Sequence, residues 1–410
     1  MQINLLRKLP PAGVRIRWQE IIYTIFGYIF LQNHKQKLTN DVKKYFNVKY
    51  CFFVNSGRSA LALILLSLMK KDKRRELIMP GYTCFSVPAS IKRAGLKIRL
   101  IDFSNDSFEY NFKLLEKAIN PETLAVILVY PFGLSVNVTR IKRLAETRNI
   151  YFIEDAAQAM GLKVNNQYAG CIGDVGFFSL GKGKPVTSIK GGIIVTNNET
   201  IAENIDREIE ILKRPSFLEN LYIIMVALFM KIFINPYLYW VLDFVWFIKL
   251  GETVYNPRFK IGLMPKAAVI LAKMMLKRLD EVNRERTIKA NNFSKRLSQI
   301  SEIKTIQGYK SQDSLFLRFP VLVGSSELRL EIYKRLSKMG ISMMYSGTIE
   351  TINEPDLFSE KNFPCLRANK VAERLLTLPT HDYVNDDDIK SIVSIILETI
   401  SGFKRRDGQN

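Results

Sequence analysis

From about Val48 to Asn198, short apolar runs alternate with longer stretches whose apolar positions recur at helical spacing. The runs are Cys51–Val54, Leu77–Met79, Lys97–Ile101, Leu124–Val129, Tyr151–Ile153 and Gly192–Thr196. Helical periodicity fills Ser59–Met69 and Val138–Arg148 between them. This alternation predicts an α/β fold, a mainly parallel sheet covered by helices, with ligands at the carboxyl ends of the strands. Residues 263–300 read as one long basic helix. Past residue 300 the pattern shifts to strands near Ser314–Val323 and helices near Ser326–Met339 and Asp386–Ile400. The predicted division is an N-terminal basic and apolar segment (1–45), a large domain (46–290) and a small C-terminal α+β domain (291–410).

Two apolar stretches stand outside this pattern. Ile21–Leu31 follows Arg15 and Arg17, but Gln32-Asn33-His34-Lys35 comes next and no small-residue cleavage site is present, which argues against a cleaved signal. The second lies in an insertion spanning 216–250. Its stretch Leu221–Ile248 carries only Lys231 and Asp243 as charges. Asn235-Pro236 divides it into halves of roughly a dozen residues, short of the ~20 that a spanning helix needs. An apolar helical hairpin is expected. It either packs in a core or dimer interface, or dips into one leaflet. In the second case Tyr237, Tyr239, Trp240 and Trp246 sit at the interface, and Lys213, Arg214, Lys249, Arg258 and Lys260 face anionic headgroups.

Charge points the same way. The chain carries a formal +21, with basic clusters at Arg7-Lys8, Lys70–Arg75 and Lys404–Arg406. Such a surface attracts polyanions: phosphorylated substrates, acidic lipids or nucleic acid. No helix-turn-helix, zinc-finger or RNP-type motif is present, so nucleic acid is not among the expected partners. The four cysteines (Cys51, Cys84, Cys171, Cys365) are scattered and form no CxxC, which speaks against zinc and a disulfide framework. With only His34 and His381, a His-based metal site or a Ser-His-Asp triad is not expected.

The candidate chemistry rests on a lysine and an acid. Lys184 closes the run Phe177-Phe178-Ser179-Leu180-Gly181-Lys182-Gly183-Lys184, ahead of Gly191-Gly192. Asp155 ends an upstream apolar strand and opens Asp155-Ala156-Ala157-Gln158. An acid at one strand end and a lysine in a Gly/Ser-rich loop after the next suit a pyridoxal phosphate site. The lysine forms a Schiff base with the aldehyde, and the acid keeps the pyridine nitrogen protonated. The phosphate is expected where Gly57, Arg58 and Ser59 open a helix, because free N–H groups and the helix dipole favour an anion.

The landmarks Asn55-Ser56-Gly57-Arg58-Ser59-Ala60-Leu61, Pro80-Gly81-Tyr82-Thr83, Glu154–Gly161, Gly173–Ser179, Lys184…Gly191-Gly192, Tyr255-Asn256-Pro257-Arg258 and Leu378-Pro379-Thr380-His381 resemble, in order and spacing, the DegT/DnrJ/StrS sugar aminotransferases. These are fold type I pyridoxal phosphate enzymes. The resemblance runs from about 45 to 400 and is interrupted by the apolar insertion. It implies that Lys184 is the catalytic lysine, with Lys182 the competing candidate, and that Asp155 pairs with the pyridinium. Gln158 would bond the ring hydroxyl. Ser179 would hold the phosphate, joined by Asn256 reaching across a homodimer whose active site lies at the interface. It also implies an amino-acid donor, glutamate, and a ketosugar acceptor, nucleotide- or lipid-phosphate-linked. With the insertion, that places the enzyme in the cytoplasm, peripheral or monotopic on the inner face of the membrane, in surface polysaccharide or glycolipid assembly.

Three departures qualify the match. Arg58 stands where many relatives have threonine. Cys84 stands where many stack an aromatic ring, a role open to Tyr82 or Phe85. Ile189-Lys190 replaces a usual glycine and glutamate, which hints at a more anionic substrate. Arg58, Lys190 and Met343–Ser346 are expected to shape the substrate pocket. Two other readings of the fold are a sugar dehydratase or deoxygenase, whose relatives replace the lysine with histidine, and a catalytically idle, membrane-tethered binding protein.

Overall fold

The computed structural model describes residues 7–104, 108–244, 254–306, 308, 310–345 and 347–407. The chain enters through helices α1 (Trp18–Phe30) and α2 (His34–Phe46). It continues through β1 (Tyr50–Val54), α3 (Gly57–Leu68), β2 (Glu76–Pro80), α4 (Ser86–Ala94), β3 (Lys97–Ile101), α5 (Phe112–Ala118), β4 (Thr123–Val129), α6 (Val138–Arg148) and β5 (Tyr151–Asp155). A short hairpin, β6 (Lys163–Val164) and β7 (Gln167–Tyr168), leads to β8 (Val175–Ser179) and β9 (Gly192–Thr196). Four helices follow: α7 (Glu199–Glu210), α8 (Phe217–Phe233), α9 (Lys266–Leu276) and α10 (Leu279–Leu297). The rest is β10 (Ile303–Thr305), β11 (Arg318–Val323), α11 (Ser326–Leu336), α12 (Leu366–Arg374), β12 (Leu375–Pro379) and α13 (Asp386–Asp407).

Seven strands form one sheet in the order β1-β9-β8-β5-β4-β2-β3. Only β9 runs against the others, antiparallel to both β8 and β1. Strands β2, β4 and β9 are buried along their whole length. Burial on both faces is why they read as continuous apolar runs rather than alternating ones. A second sheet, β10-β11-β12, is antiparallel. The expected α/β class, with a mainly parallel sheet and a smaller C-terminal sheet, is what the chain forms.

The two sheets are tied together near the strand ends. Asp102, just past β3, accepts from the backbone N–H groups of Arg367 and Ala368 at the start of α12 (2.8 and 2.9 Å). Leu315 and Leu317 donate to the carbonyls of Gly133 and Phe132. The N-terminal segment joins both parts: Leu9 bridges to Met339, and Arg7 pairs with Asp388 at 2.7 Å.

Residues 263–300 do not form one helix. They break at Lys277-Arg278, between α9 and α10. Arg278 is drawn inward to bond Glu20 at 2.7 Å and the Arg15 carbonyl, which anchors α1. A side chain that reaches back to another helix leaves no trace in local periodicity.

The insertion differs from the predicted hairpin. Its first arm is α8, capped by Ser216 with Glu219 in a capping box. It ends before Asn235-Pro236. Ile223, Val226, Ala227 and Met230 face inward, and α8 packs beside α1 and α9. The second arm shows only a 3-10 turn, Tyr239–Phe244. Residues 245–253 of that arm, Trp246 and Lys249 included, lie outside the described residues. Among the described residues, no helix is long and apolar enough to cross a membrane.

Candidate active site

The loops that follow β1, β2, β5 and β8 close around one cavity of about 570 Å³. Ser56 comes from the first loop with Gly57 and Arg58 from the first turn of α3 beyond it, and Thr83 and Cys84 from the second with Ser86 from the start of α4. Asp155, Ala157 and Gln158 come from the third, and Ser179 through Lys184 (apart from Leu180) from the fourth. The volume lies within the ~300–1,000 Å³ of small-molecule sites.

Helix α3 opens toward this cavity. Its N-cap Ser56 accepts from the Ser59 N–H at 3.1 Å, which fixes the first turn. Gly57 lies against Ser179: a Cβ added at Gly57 would stand 3.1 Å from Ser179 Cβ and 3.3 Å from its Oγ. A helix N-terminus and a hydroxyl thus converge where a phosphate fits. Ser59 does not join them. It is fully buried, and its hydroxyl donates to Asn55 Oδ1 at 2.5 Å. Its role is to brace the turn. Arg58 borders the cavity with its guanidinium over the Phe259 ring, 5.2 Å from the centroid.

Lys184 and Asp155 both line the cavity. Gly183, at φ +82°, turns the chain so that Lys184 follows in the wall. Burial lowers the Lys184 pKa, opposed by Cys84 and Asp155. Burial raises the Asp155 carboxyl to about 6, against the pull of the Ala157 N–H and of Lys184. Lys182 lines the same cavity, and burial lowers it too, but the charge that acts on it is Lys190. Of the two lysines, Lys184 is the one that senses the acid.

Gln158 borders the cavity, with its amide held between the Tyr345 hydroxyl (Nε2, 2.9 Å) and the Phe132 N–H (Oε1, 3.1 Å). Tyr82 does not line the cavity. It is buried behind, packed on Tyr345 with ring centroids 5.4 Å apart. Phe85 is also buried away from it. The aromatic rings at the wall are Tyr345 and Phe177, beside Cys84. Asn256 borders the cavity of its own chain, although the resemblance assigns it to a partner's site.

Lys190 is exposed and lies over the Tyr222 ring of α8 at 4.5 Å. It does not line the cavity, so the insertion engages it instead. Its neighbour Ile189 does, buried at φ +70°. A β-branched residue in the left-handed region is strained and persists only where its surroundings hold it. Of Met343–Ser346, Met344 and Tyr345 reach the wall, and Ser346 lies outside the described residues.

Sequence reading missed Pro11, Ala12, Leu317, Arg318 and Ser342. They arrive from distant parts of the chain, and no local motif marks them. Among the described residues, the charged groups at the wall are Arg58, Lys182, Lys184 and Arg318 against Asp155 alone. That balance suits a phosphate-bearing ligand. Lysine, acid and helix N-terminus around one cavity fit pyridoxal phosphate.

Comparison with known proteins agrees. The DegT/DnrJ/EryC1/StrS aminotransferase family matches residues 27–219 and 259–397, with the apolar insertion falling in the gap. The chain is similar to GDP-perosamine synthase of Escherichia coli O157:H7, 32% identical over 169 residues, covering 41% of this chain and 46% of that protein. It is similar over nearly its whole length to the dTDP-4-amino-4,6-dideoxy-D-glucose transaminase of Shigella dysenteriae, 25% identical, covering 95% of this chain and 96% of that one. Its fold is that of the E. coli GDP-4-keto-6-deoxy-D-mannose-3-dehydratase solved with bound hydrated PLP. That structure matches with TM-score 0.76 and 18% identity, covering 95% of this chain and 99% of the other. With pyridoxal phosphate as its cofactor, the chain belongs to the DegT/DnrJ/EryC1/StrS aminotransferase family.

Proposed function

We propose that this protein is an aminotransferase that moves an amino group from an amino acid, glutamate, to a ketosugar carried on a nucleoside diphosphate or a lipid phosphate. The observation that carries this reading is the meeting of Lys184 and Asp155 at one cavity, each shifting the other's ionisation. The names of the relatives support a nucleotide-linked sugar. Arg58 and Lys182 at the wall support a phosphorylated acceptor.

When bound, the cofactor supplies an aldehyde and a ring that takes up electrons from the substrate carbon. The residues do the rest. Gly57 and the start of α3, with the Ser179 hydroxyl, hold the phosphate. Asp155 would pair with the ring nitrogen, and its charge would keep that nitrogen protonated. Burial favours the neutral form of the Lys184 amine, the form that would take a proton from the substrate carbon and return it. Gln158, clamped between Tyr345 and Phe132, holds the edge of the site. Asn256 and the cavity mouth belong to a homodimer interface.

The test is spectroscopic. The purified protein with bound cofactor should be yellow, L-glutamate should bleach it, and a ketosugar nucleotide should restore the colour. Lys184→Ala should lose the band while Lys182→Ala keeps it. A protein that is yellow but never bleached by an amino acid is not this aminotransferase.

The proposed place of work is the cytoplasmic face of an anionic membrane. Helix α1 exposes Trp18, Ile22 (62%) and Phe26, and α8 beside it exposes Leu218, Leu221 and Met225 (56%). Lys231 of α8 lies over the Trp18 ring at 5.6 Å, which joins the two faces. Lys35, Lys37, Lys213 and Arg214 are exposed nearby in sequence. Apolar side chains with basic neighbours suit insertion between anionic headgroups. Ile22→Ser/Met225→Ser should abolish co-sedimentation with phosphatidylglycerol vesicles. A shift of the variant from dimer to monomer instead would assign this face to a second copy.

A further inference from the structure

Arg318, the first residue of β11, is 5% exposed and lines the cavity that holds Lys184 and Asp155. Three of its N–H groups are spent on the fold. Nε donates to Thr377 Oγ1 at 2.7 Å, and Nη2 donates to the carbonyls of Gly340 and Thr377 at 2.8 and 2.7 Å. These bonds fix the plane of the guanidinium. All three acceptors are neutral, and among the described residues Arg318 has no carboxylate partner. Among the described residues no acceptor takes the Nη1 hydrogens, which leaves both for a ligand.

Behind Arg318 lies Arg286, 2% exposed, whose Nη1 and Nη2 donate to the Leu317 and Gly13 carbonyls at 2.7 Å each. Each guanidinium lacks a direct carboxylate bond among the described residues, although the charges of Asp382 and Glu285 reach Arg286. Burial and the neighbouring Arg286 push Arg318 down to about 9. A buried cation left without its anion is costly, so a fold that retains one beside a ligand cavity gains when a ligand brings the counter-charge.

We infer that Arg318 binds the carboxylate of the amino-acid donor through Nη1. A single nitrogen with two free hydrogens, held rigid at a buried wall, suits the small carboxylate at the reacting end of an amino acid. A diphosphate is better matched to the helix N-terminus and the more exposed Arg58 and Lys182. This assignment rests on the transamination reading. Thr377 acts with Arg318 as a positioning residue, since its hydroxyl and carbonyl both hold the guanidinium.

The experiment separates the two half-reactions in the holoenzyme. In Arg318→Met, the yellow band should persist. Bleaching by L-glutamate should need about 100-fold more donor, the scale of losing one partner of a buried charge pair. Colour return with a ketosugar nucleotide, started from the amino form of the cofactor, should stay within a few-fold. Arg318→Lys keeps a cation and serves where the methionine variant does not fold; it should show a smaller loss confined to the same half-reaction. On the wild type, glutarate should compete with glutamate and neutral glutaramide should not. Unchanged donor dependence in either variant, or an equal loss in the acceptor half-reaction, overturns the assignment. A wild-type protein that stays yellow with every amino acid sinks the transamination reading itself, a different result from either.

Discussion

Gly57 and Ser179 approach so closely that a Cβ on the glycine would sit 3.1 Å from that of the serine. One residue opens α3 and the other ends β8, so this contact brings a helix N-terminus and a hydroxyl to one point of the cavity. An added methyl has to push Ser179 off that point. Gly57→Ala is expected to weaken cofactor binding about 10-fold, the ~1–3 kcal/mol range of overpacking at a tight contact. Fluorescence titration of the apoprotein measures it. Pyridoxal without its phosphate should show little difference between the variant and wild type. An equal loss for both forms would remove the phosphate from this contact.

The proposed pairing of Asp155 with the ring nitrogen predicts a pH limit on cofactor capture. Burial raises its carboxyl to about 6 in the empty cavity. Only the ionised form pairs with a protonated ring nitrogen, so below about pH 6 capture must first remove a proton from Asp155. Affinity of the apoprotein for pyridoxal phosphate should therefore fall as pH drops through 6 and level off above it. Asp155→Asn should flatten this limb and cut turnover by roughly 10³-fold or more, given the weight of charge placed at a reacting group. A wild-type affinity that is flat from pH 5 to 8 would contradict the pairing.

Glu109 offers a stability test away from the chemistry. Burial raises its carboxyl to about 7, with only the Asn137 N–H acting against the shift, and its Oε1 is buried without a partner among the described residues. A raised carboxyl favours folding below the unfolded value of about 4.3 and loses that benefit as pH climbs through 7. Glu109→Gln removes this dependence. The variant should be more stable than wild type by about 2 kcal/mol at pH 8, and the gap should narrow toward pH 5. Thermal unfolding at the two pH values measures both; a gap that widens toward acid would reverse the assignment.

What the sequence made legible follows from locality. The β/α alternation, the strand-end acid at Asp155 and the Gly-flanked Lys184 are short-range features, and all appear where their patterns placed them. Ser59, in the first turn of α3, and Tyr82, in the loop after β2, face inward, because a motif gives a residue's position and not its side-chain direction. The break at Arg278 was hidden because its cause, Glu20 of α1, lies far away in sequence. Arg318 carried no signal for the same reason: its partners Gly340 and Thr377 and the cavity it borders are assembled only by the small sheet. The α1–α8 apolar face likewise joins two segments that the sequence presents separately.

Gly183 ties the N-terminal segment to the loop that carries Lys184. Its φ of +82° is a conformation open to glycine at little cost, and a Cβ there would stand 2.8 Å from that of Ala12. Ala12 and Lys184 both line the cavity, so the turn sets the distance between the N-terminal segment and the lysine. In Gly183→Ala, backbone strain of about 1–2 kcal/mol adds to the clash, and the loop must rotate or Ala12 must retreat. Either movement displaces Lys184 while leaving its chemistry intact. The variant should keep the yellow band but bleach about 10–100-fold more slowly with saturating glutamate, as a misplacement near 1 Å does. Ala12→Gly in the same chain removes the colliding methyl and should recover part of that rate. If the double variant is no faster than Gly183→Ala, the backbone turn alone positions the lysine and the contact with Ala12 contributes nothing.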